Sequence, residues 1–192
     1  MALRVLGLLG SPCTDGNTAA LLDAVLEGAR AAGAETERID LARLNIHPCY
    51  ECRGCDSEGA CVRATDDMPV IYSRVRLVDA IVLASPIFFM GVTAQTKAMI
   101  DRCQCFWVER FVLKRRHYEG RRRPKGLFVS CAGGSKMSMF DPAIHVVRAF
   151  FSALDFEYAG EILLPGTDAP DIGLRRSAAI EAARAAGSRV CQ

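Results

Sequence analysis

Short apolar runs alternate with helix-patterned stretches five times along this chain, and that alternation restricts the fold more than any other feature. Arg4–Leu9 is apolar, is closed by Gly10-Ser11-Pro12, and reads as a buried strand followed by a loop. Asn17 or Thr18 opens a helix in which Leu22, Val25, Leu26 and Ala29 recur at helical spacing, and Gly33 ends it. Thr36–Leu41 is a less apolar strand. Asp66 or Asp67 can cap a helix to about Leu77, with Pro69 tolerated in its first turn. Ala80–Ala84 is the clearest core strand and breaks at Ser85-Pro86. A helix from Thr93 to Cys105, a strand at Leu127–Cys131 stopped by Gly133-Gly134, and a helix from Asp141-Pro142 to Leu154 follow. Phe156–Leu163 and Leu174–Val190 complete the series as strand and helix. Short apolar strands separated by helices predict an α/β fold, a doubly wound parallel sheet with helices on both faces. No repeat, low-complexity segment or linker divides residues 1–192, so one domain is expected.

Composition sets outer limits on function. Half the residues (51%) are hydrophobic and 24% charged, ordinary for a soluble globular protein. The longest apolar runs are strand-length, which argues against a membrane span, and no cleavage-type region follows the first residues. Nine cysteines, an odd number with four clustered, suit a reducing compartment better than a secreted disulfide framework, so a cytoplasmic protein is expected. The net charge is +2, but Glu109–Lys125 holds eight basic and two acidic residues. That stretch can meet a 2′-phosphate, an acidic redox partner, another subunit or only solvent; it is not a nucleic-acid-binding composition.

Cys49, Cys52, Cys55 and Cys61 place four thiols within thirteen residues, in a loop at about 47–63 that follows the second strand. Two intervening residues let the chain turn so that successive sulfurs face one centre, as in cysteine-held iron–sulfur clusters. Zinc sites more often show two separated pairs, so a cubane cluster is expected first and zinc second. His47 stands beside this loop and can tune or replace a ligand, or simply face solvent. Cys13, Cys103, Cys105, Cys131 and Cys191 read as ordinary buried or partly buried residues, with Cys13 the one to watch for reactivity.

In doubly wound sheets the ligand binds beyond the carboxyl ends of the strands, where strand order reverses. Three loops leave such ends. Gly10–Thr18 offers hydroxyls, a side-chain amide and a helix N-terminus, suited to a monophosphate held without a lysine, or else a capped turn without a ligand. Ser85–Gly91 is largely apolar and must cover a flat ligand or a partner subunit, or pack in the core. Cys131–Ser135 can bring backbone amides to a ligand or form a simple turn. The cysteine loop also leaves a strand end and is expected on the same edge. No Ser-His-Asp arrangement or acid pair suggests itself, so no catalytic side chain is assigned.

On these residues the chain resembles the iron–sulfur flavoproteins of the NADPH-dependent FMN reductase branch of the flavodoxin-like superfamily. The carriers are Gly10-Ser11-Pro12 with Gly16-Asn17-Thr18, the cysteine run, Asp66-Asp67-Met68, Ser85-Pro86-Ile87-Phe88 with Gly91, Thr93-Ala94-Gln95 with Lys97, and Asp101-Arg102. The resemblance implies a flavodoxin-like five-stranded parallel sheet, order 2-1-3-4-5, binding FMN. Ser11, Thr14, Asn17 and Thr18 would hold the phosphate. Pro86, Ile87, Phe88, Phe89 and Gly91 would border the isoalloxazine, and Gly133 and Gly134 would close the opposite rim. Cys49, Cys52, Cys55 and Cys61 would ligate a 4Fe–4S cluster. The implied activity is an FMN-dependent oxidoreductase passing electrons between cluster and flavin, or an NAD(P)H-dependent FMN or quinone reductase without a functional cluster. NAD(P)H or ferredoxin would be the donor and a small molecule the acceptor, in a homodimer or homotetramer where one subunit's cluster can approach another's flavin. No nucleic-acid or membrane partner is expected.

Overall fold

The computed structural model describes residues 2–63, 65–115, 118, 122–169 and 172–192, except for the side chains of 172–174. Five strands, β1 (Arg4–Leu9), β2 (Glu35–Asp40), β3 (Ala80–Ala84), β4 (Lys125–Cys131) and β5 (Glu157–Leu164), form one parallel sheet in the order β2-β1-β3-β4-β5. The expected topology is therefore found. β1, β3 and β4 are almost wholly buried because helices cover both their faces, which is why their sequences run apolar without alternation. β2 and β5 stand at the edges and alternate more polar residues.

One face is covered by α1 (Asn17–Ala31) and α6 (Ile172–Val190), burying Leu22, Val25, Leu26 and Ala29 as the periodicity predicts. These two helices touch backbone to backbone. A Cβ on Gly28 would lie 1.9 Å from the Arg184 carbonyl oxygen, and one on Gly187 the same distance from that of Val25. The other face carries α2 (Met68–Val75), α3 (Ala94–Arg102), α4 (Gln104–Trp107) and α5 (Asp141–Ala153) over Leu6, Leu8, Ile81, Leu83 and Phe128.

The single helix expected from Thr93 to Cys105 is in fact α3 and α4 with a break at Cys103, followed by a wide helical turn at Val108–Val112. The break allows Cys103, Cys105 and Phe106 all to be buried, which one straight helix would not. Among described residues, no helix is long and apolar enough to cross a membrane. Arg116, His117, Glu119 and Arg121 of the basic stretch lie outside the described residues.

Candidate functional site

Chain hand, not secondary structure, shapes the cysteine loop. Glu51 (φ 51°) and Arg53 (φ 55°) on either side of Cys52 adopt the left-handed conformation, which few non-glycine residues take. The chain therefore turns sharply on both sides of the Cys52 thiol. Asp56 N–H donates to Arg53 O at 3.0 Å and Gly59 N–H to Cys55 O at 2.8 Å, tightening the next two turns. Gly54 is needed where the loop folds on itself, since a Cβ there would lie 2.4 Å from Val62 Cγ2. The Arg63 guanidinium stacks on the Tyr50 ring at 4.3 Å and holds the two ends of the loop together. All four thiols then line one cavity of about 560 Å³, with Cys49 and Cys52 exposed and Cys55 and Cys61 half-buried.

The floor of that cavity is Asp101, Arg102, Gln104 and Cys105, from the end of α3 and the start of α4. Arg102 is buried, 1% exposed at its side chain, and its partner Asp66 is 2% exposed. The guanidinium makes an ion pair with both Asp66 oxygens and donates to His47 O at 3.1 Å, Arg63 O at 2.7 Å and Cys61 Sγ at 3.5 Å. Burial alone would raise the Asp66 carboxyl. Arg102 and the main-chain N–H groups of His47 and Met68 outweigh it and hold Asp66 below the usual carboxylate range. Burial likewise works to raise the Cys61 thiol, but the Arg63 main chain, the Tyr72 hydroxyl and the Arg102 guanidinium hold it below its ordinary value. Cys105 shows the opposite balance: burial and the thiolates of Cys61 and Cys55 push it up to about 11. His47 contributes its backbone and not its ring to these contacts.

Cys105 lines the cavity of the four thiols and Cys103 is buried at the α3–α4 break, a placement that periodicity on an unbroken helix does not reveal. Arg102 and Asp66 belong to motifs carried by the resemblance, but nothing in the sequence says that they meet.

The second candidate site lies at the carboxyl edge. Leu9 and Ala84 are register partners, as are Ala84 and Val129, so Gly10, Ser85 and Ala132 leave adjacent strands side by side. Gly10 N–H donates to Ala84 O at 2.7 Å and Ile87 N–H to Cys131 O at 2.8 Å, which ties the three loops together. Thr93 caps α3 and its buried hydroxyl donates to Gly10 O at 2.5 Å. Within the first loop Ser11 is buried and its Oγ accepts the Cys13 N–H at 3.1 Å. Thr14 O is gripped by Arg38 at 2.7 Å, and Arg38 is itself fixed by Asp23 and Asp40. Asn17 begins α1, Thr18 is buried, and Gly16 is the N-cap. No side chain caps α1 and its first turn has no acid, which leaves its N–H groups available to an anion. A cation does reach this loop from β2, as Arg38, and acts on its backbone.

Ser85 is buried and Ile87 packs against the core, while Phe88–Gly91 forms a tight hairpin turn, Phe88 N–H to Gly91 O at 2.9 Å and the reverse bond at 3.0 Å. Phe89 (φ 48°) and Met90 (φ 67°) are both left-handed, and Phe88, Phe89 and Met90 are all exposed. Of the readings open for this loop, core packing does not apply to these three. Gly133 and Gly134 sit under the loop after β5. Gly166 N–H donates to Gly134 O at 2.8 Å, and a Cβ on Gly133 would lie 2.2 Å from Asp168 Oδ2.

The two sites do not share one edge as expected. The loop leaves β2 at the carboxyl edge, but its cavity is floored by the far end of α3, and no residue of the three edge loops lines it. Thr93 and Arg102 mark opposite ends of α3, nine helical residues or about 13 Å apart. The reason is the Arg102–Asp66 pair, which draws the loop down along the helices.

Residues 3–162 match the family of NADPH-dependent FMN reductases. The chain belongs to that family. An iron–sulfur flavoprotein of Methanocaldococcus jannaschii is 40% identical over 100 residues, 52% of this chain and 51% of that protein. Another from Methanosarcina thermophila is 33% identical over 112 residues, 58% of each. The chain thus spans about half the length of the curated relatives it matches. Among solved structures, an NAD(P)H:quinone oxidoreductase from Methanothermobacter marburgensis superposes with a TM-score of 0.70 at 19% identity, covering 98% of this chain and 97% of that one. An FMN-dependent NADH-azoreductase from Bacillus anthracis in complex with FMN gives 0.71 at 16%, covering 98% and 100%. These likenesses establish the flavodoxin-like fold.

Proposed function

We propose that the protein is a flavin-dependent oxidoreductase that moves electrons between a 4Fe–4S cluster and FMN. The observation that carries this reading is four thiols on one cavity, with a buried cation against one of them, in a chain of the FMN reductase family. Three cysteines in one run at two-residue spacing, with a fourth close behind, suit a cluster better than a single ion. Among the described residues, no three Cys, His, Asp or Glu side chains stand close enough to grip one metal ion. The edge loops offer what a phosphate and a flat ring need: hydroxyls of Ser11, Thr14 and Thr18 with the Asn17 amide at an uncapped helix start, apolar Pro86, Ile87, Phe88 and Phe89 with Gly91 after β3, and Gly133 and Gly134 after the neighbouring β4.

When bound, FMN exchanges one or two electrons and the cluster one, so together they join one-electron to two-electron partners. The chain's own residues position and insulate. Ser11 and Arg38 fix the loop at the α1 start, Thr93 locks that loop to α3, and Cys49, Cys52, Cys55 and Cys61 line one cavity. No side chain need act as acid or base. NAD(P)H or ferredoxin supplies electrons and a small molecule receives them. Because α3 separates the two pockets of one chain, and Phe88, Phe89 and Met90 are exposed at the flavin edge, a homodimer or homotetramer that brings one chain's sulfurs to another's flavin suits this geometry.

Anaerobic purification followed by iron, sulfide and FMN determination tests the reading. Iron and sulfide with a broad absorption beneath the flavin bands support it. Flavin without iron would favour an NAD(P)H-dependent FMN or quinone reductase that uses no cluster. Cys52→Ala should lose iron while retaining FMN, and joint loss of both would count against separate sites.

A further inference from the structure

Side chains with a permanent charge are seldom fully buried unless a task or a partner holds them there. Arg102 has a partner in Asp66, yet the pair does not satisfy it alone. Nη2 also reaches Cys61 Sγ at 3.5 Å, and Nε finds no acceptor among the described residues. Its remaining contacts, to the carbonyls of His47 and Arg63, close the two ends of the cysteine loop. Asp66 accepts from the backbone N–H groups of His47 and Met68 as well as from Arg102, whereas Arg102 is the one that reaches Cys61. The cation is therefore the member of the pair next to the thiolate, and the anion stands behind it.

We propose that Arg102 is a positioning residue that sets the reduction potential of the cluster by donating a hydrogen bond and presenting a fixed positive charge to Cys61. The inference rests on the reading that the four cysteines hold a cluster. Reduction adds negative charge to a cluster and its sulfurs, so an adjacent cation and an N–H···S bond stabilise the reduced form and raise the potential. Low dielectric at a site 1% exposed leaves that charge little screened. Asp66 opposes the effect from a greater distance, so the two residues pull the potential in opposite directions.

That opposition separates tuning from mere support of the loop. The cluster potential is measured by redox titration followed by electron paramagnetic resonance, with the FMN potential of the same samples as internal reference. Arg102→Met should move the cluster potential downward, Arg102→Lys should move it down by less, and Asp66→Asn should move it upward, the FMN potential staying in place. Loop disorder alone would shift both single-site neutralisations the same way, and that result, or no shift in loaded protein, overturns the proposal. Should Arg102→Met retain no iron, the sign of the Asp66→Asn shift decides by itself. Parent protein that binds FMN but no iron would instead refute the underlying reading, which the iron assay reports separately.

Discussion

Replacing Thr93 by valine keeps the shape of the side chain and removes only its hydroxyl. That hydroxyl is buried, donates to Gly10 O at 2.5 Å, meets Thr96 Oγ1 at 2.9 Å and accepts from the Thr96 N–H at 3.4 Å. Since the single Thr93 proton goes to Gly10, the Thr96 hydroxyl must supply the proton between the two threonines. Valine would strand the Gly10 carbonyl and the Thr96 hydroxyl and uncap α3. A buried group left without its partner costs about 1–3 kcal/mol, and loss of a threonine cap about 1 kcal/mol. Rotation of Thr96 can recover one bond, so a net loss of about 3 kcal/mol is expected. With a urea dependence of roughly 2 kcal/mol per molar, the unfolding midpoint should fall by about 1.5 M. Gly10 starts the loop that would hold the flavin phosphate. If about half the loss appears as freedom of that loop, FMN binding weakens roughly tenfold. Urea unfolding followed by circular dichroism and titration with FMN followed by flavin fluorescence report the two effects. A midpoint within about 0.3 M of the parent would refute the reasoning.

Gly28→Ala or Gly187→Ala should force α1 and α6 apart, because each new Cβ would fall 1.9 Å from a carbonyl oxygen of the other helix. A loss of at least 3 kcal/mol is expected in urea unfolding, near the upper end of overpacking costs of about 1–3 kcal/mol, since backbone cannot step aside. Asp66 has a depressed folded-state pKa, so its stabilisation is complete above the unfolded carboxylate value of about 3.9 and fades as pH falls through the lower folded value. The stability difference between parent and Asp66→Asn should thus be constant from pH 7 to about 5 and shrink toward pH 3 in acid titrations of the urea midpoint. Cys131 is buried and pushed up to about 11, while Cys13 is exposed. Alkylation at pH 8 followed by peptide mass mapping should label Cys13 and spare Cys131 in the folded protein.

The sheet was legible because its three inner strands are covered twice. Val5, Leu6, Leu8, Ile81 and Phe128 write that burial into unbroken apolar runs, and the helices between them carry their period openly. The four thiols and the edge loops were legible for a different reason: their chemistry is local, and spacing of two residues is itself geometry. What the sequence hid is whatever depends on distant pairing. Arg102 and Asp66 are 36 positions apart. Their pairing pulls the cysteine loop away from the edge where strand order alone would leave it. The break at Cys103 was hidden too, since apolar residues on both sides of it satisfy a helical period without revealing the change of face. Nothing local to Arg38, on an edge strand, marks its hold on Thr14, Asp23 and Asp40.

Because one short helix has Thr93 at one end and Arg102 at the other, its residue count acts as a gauge block. Each added or deleted residue would turn the far end by about 100° and slide it by about 1.5 Å. A length change anywhere between Ala94 and Ile100 would therefore misdirect Arg102 without touching the cysteine cavity directly. Substitutions at the exposed Ala94 and Lys97 should be tolerated, whereas a single insertion there should part the Thr93–Gly10 lock from the Arg102–Asp66 pair.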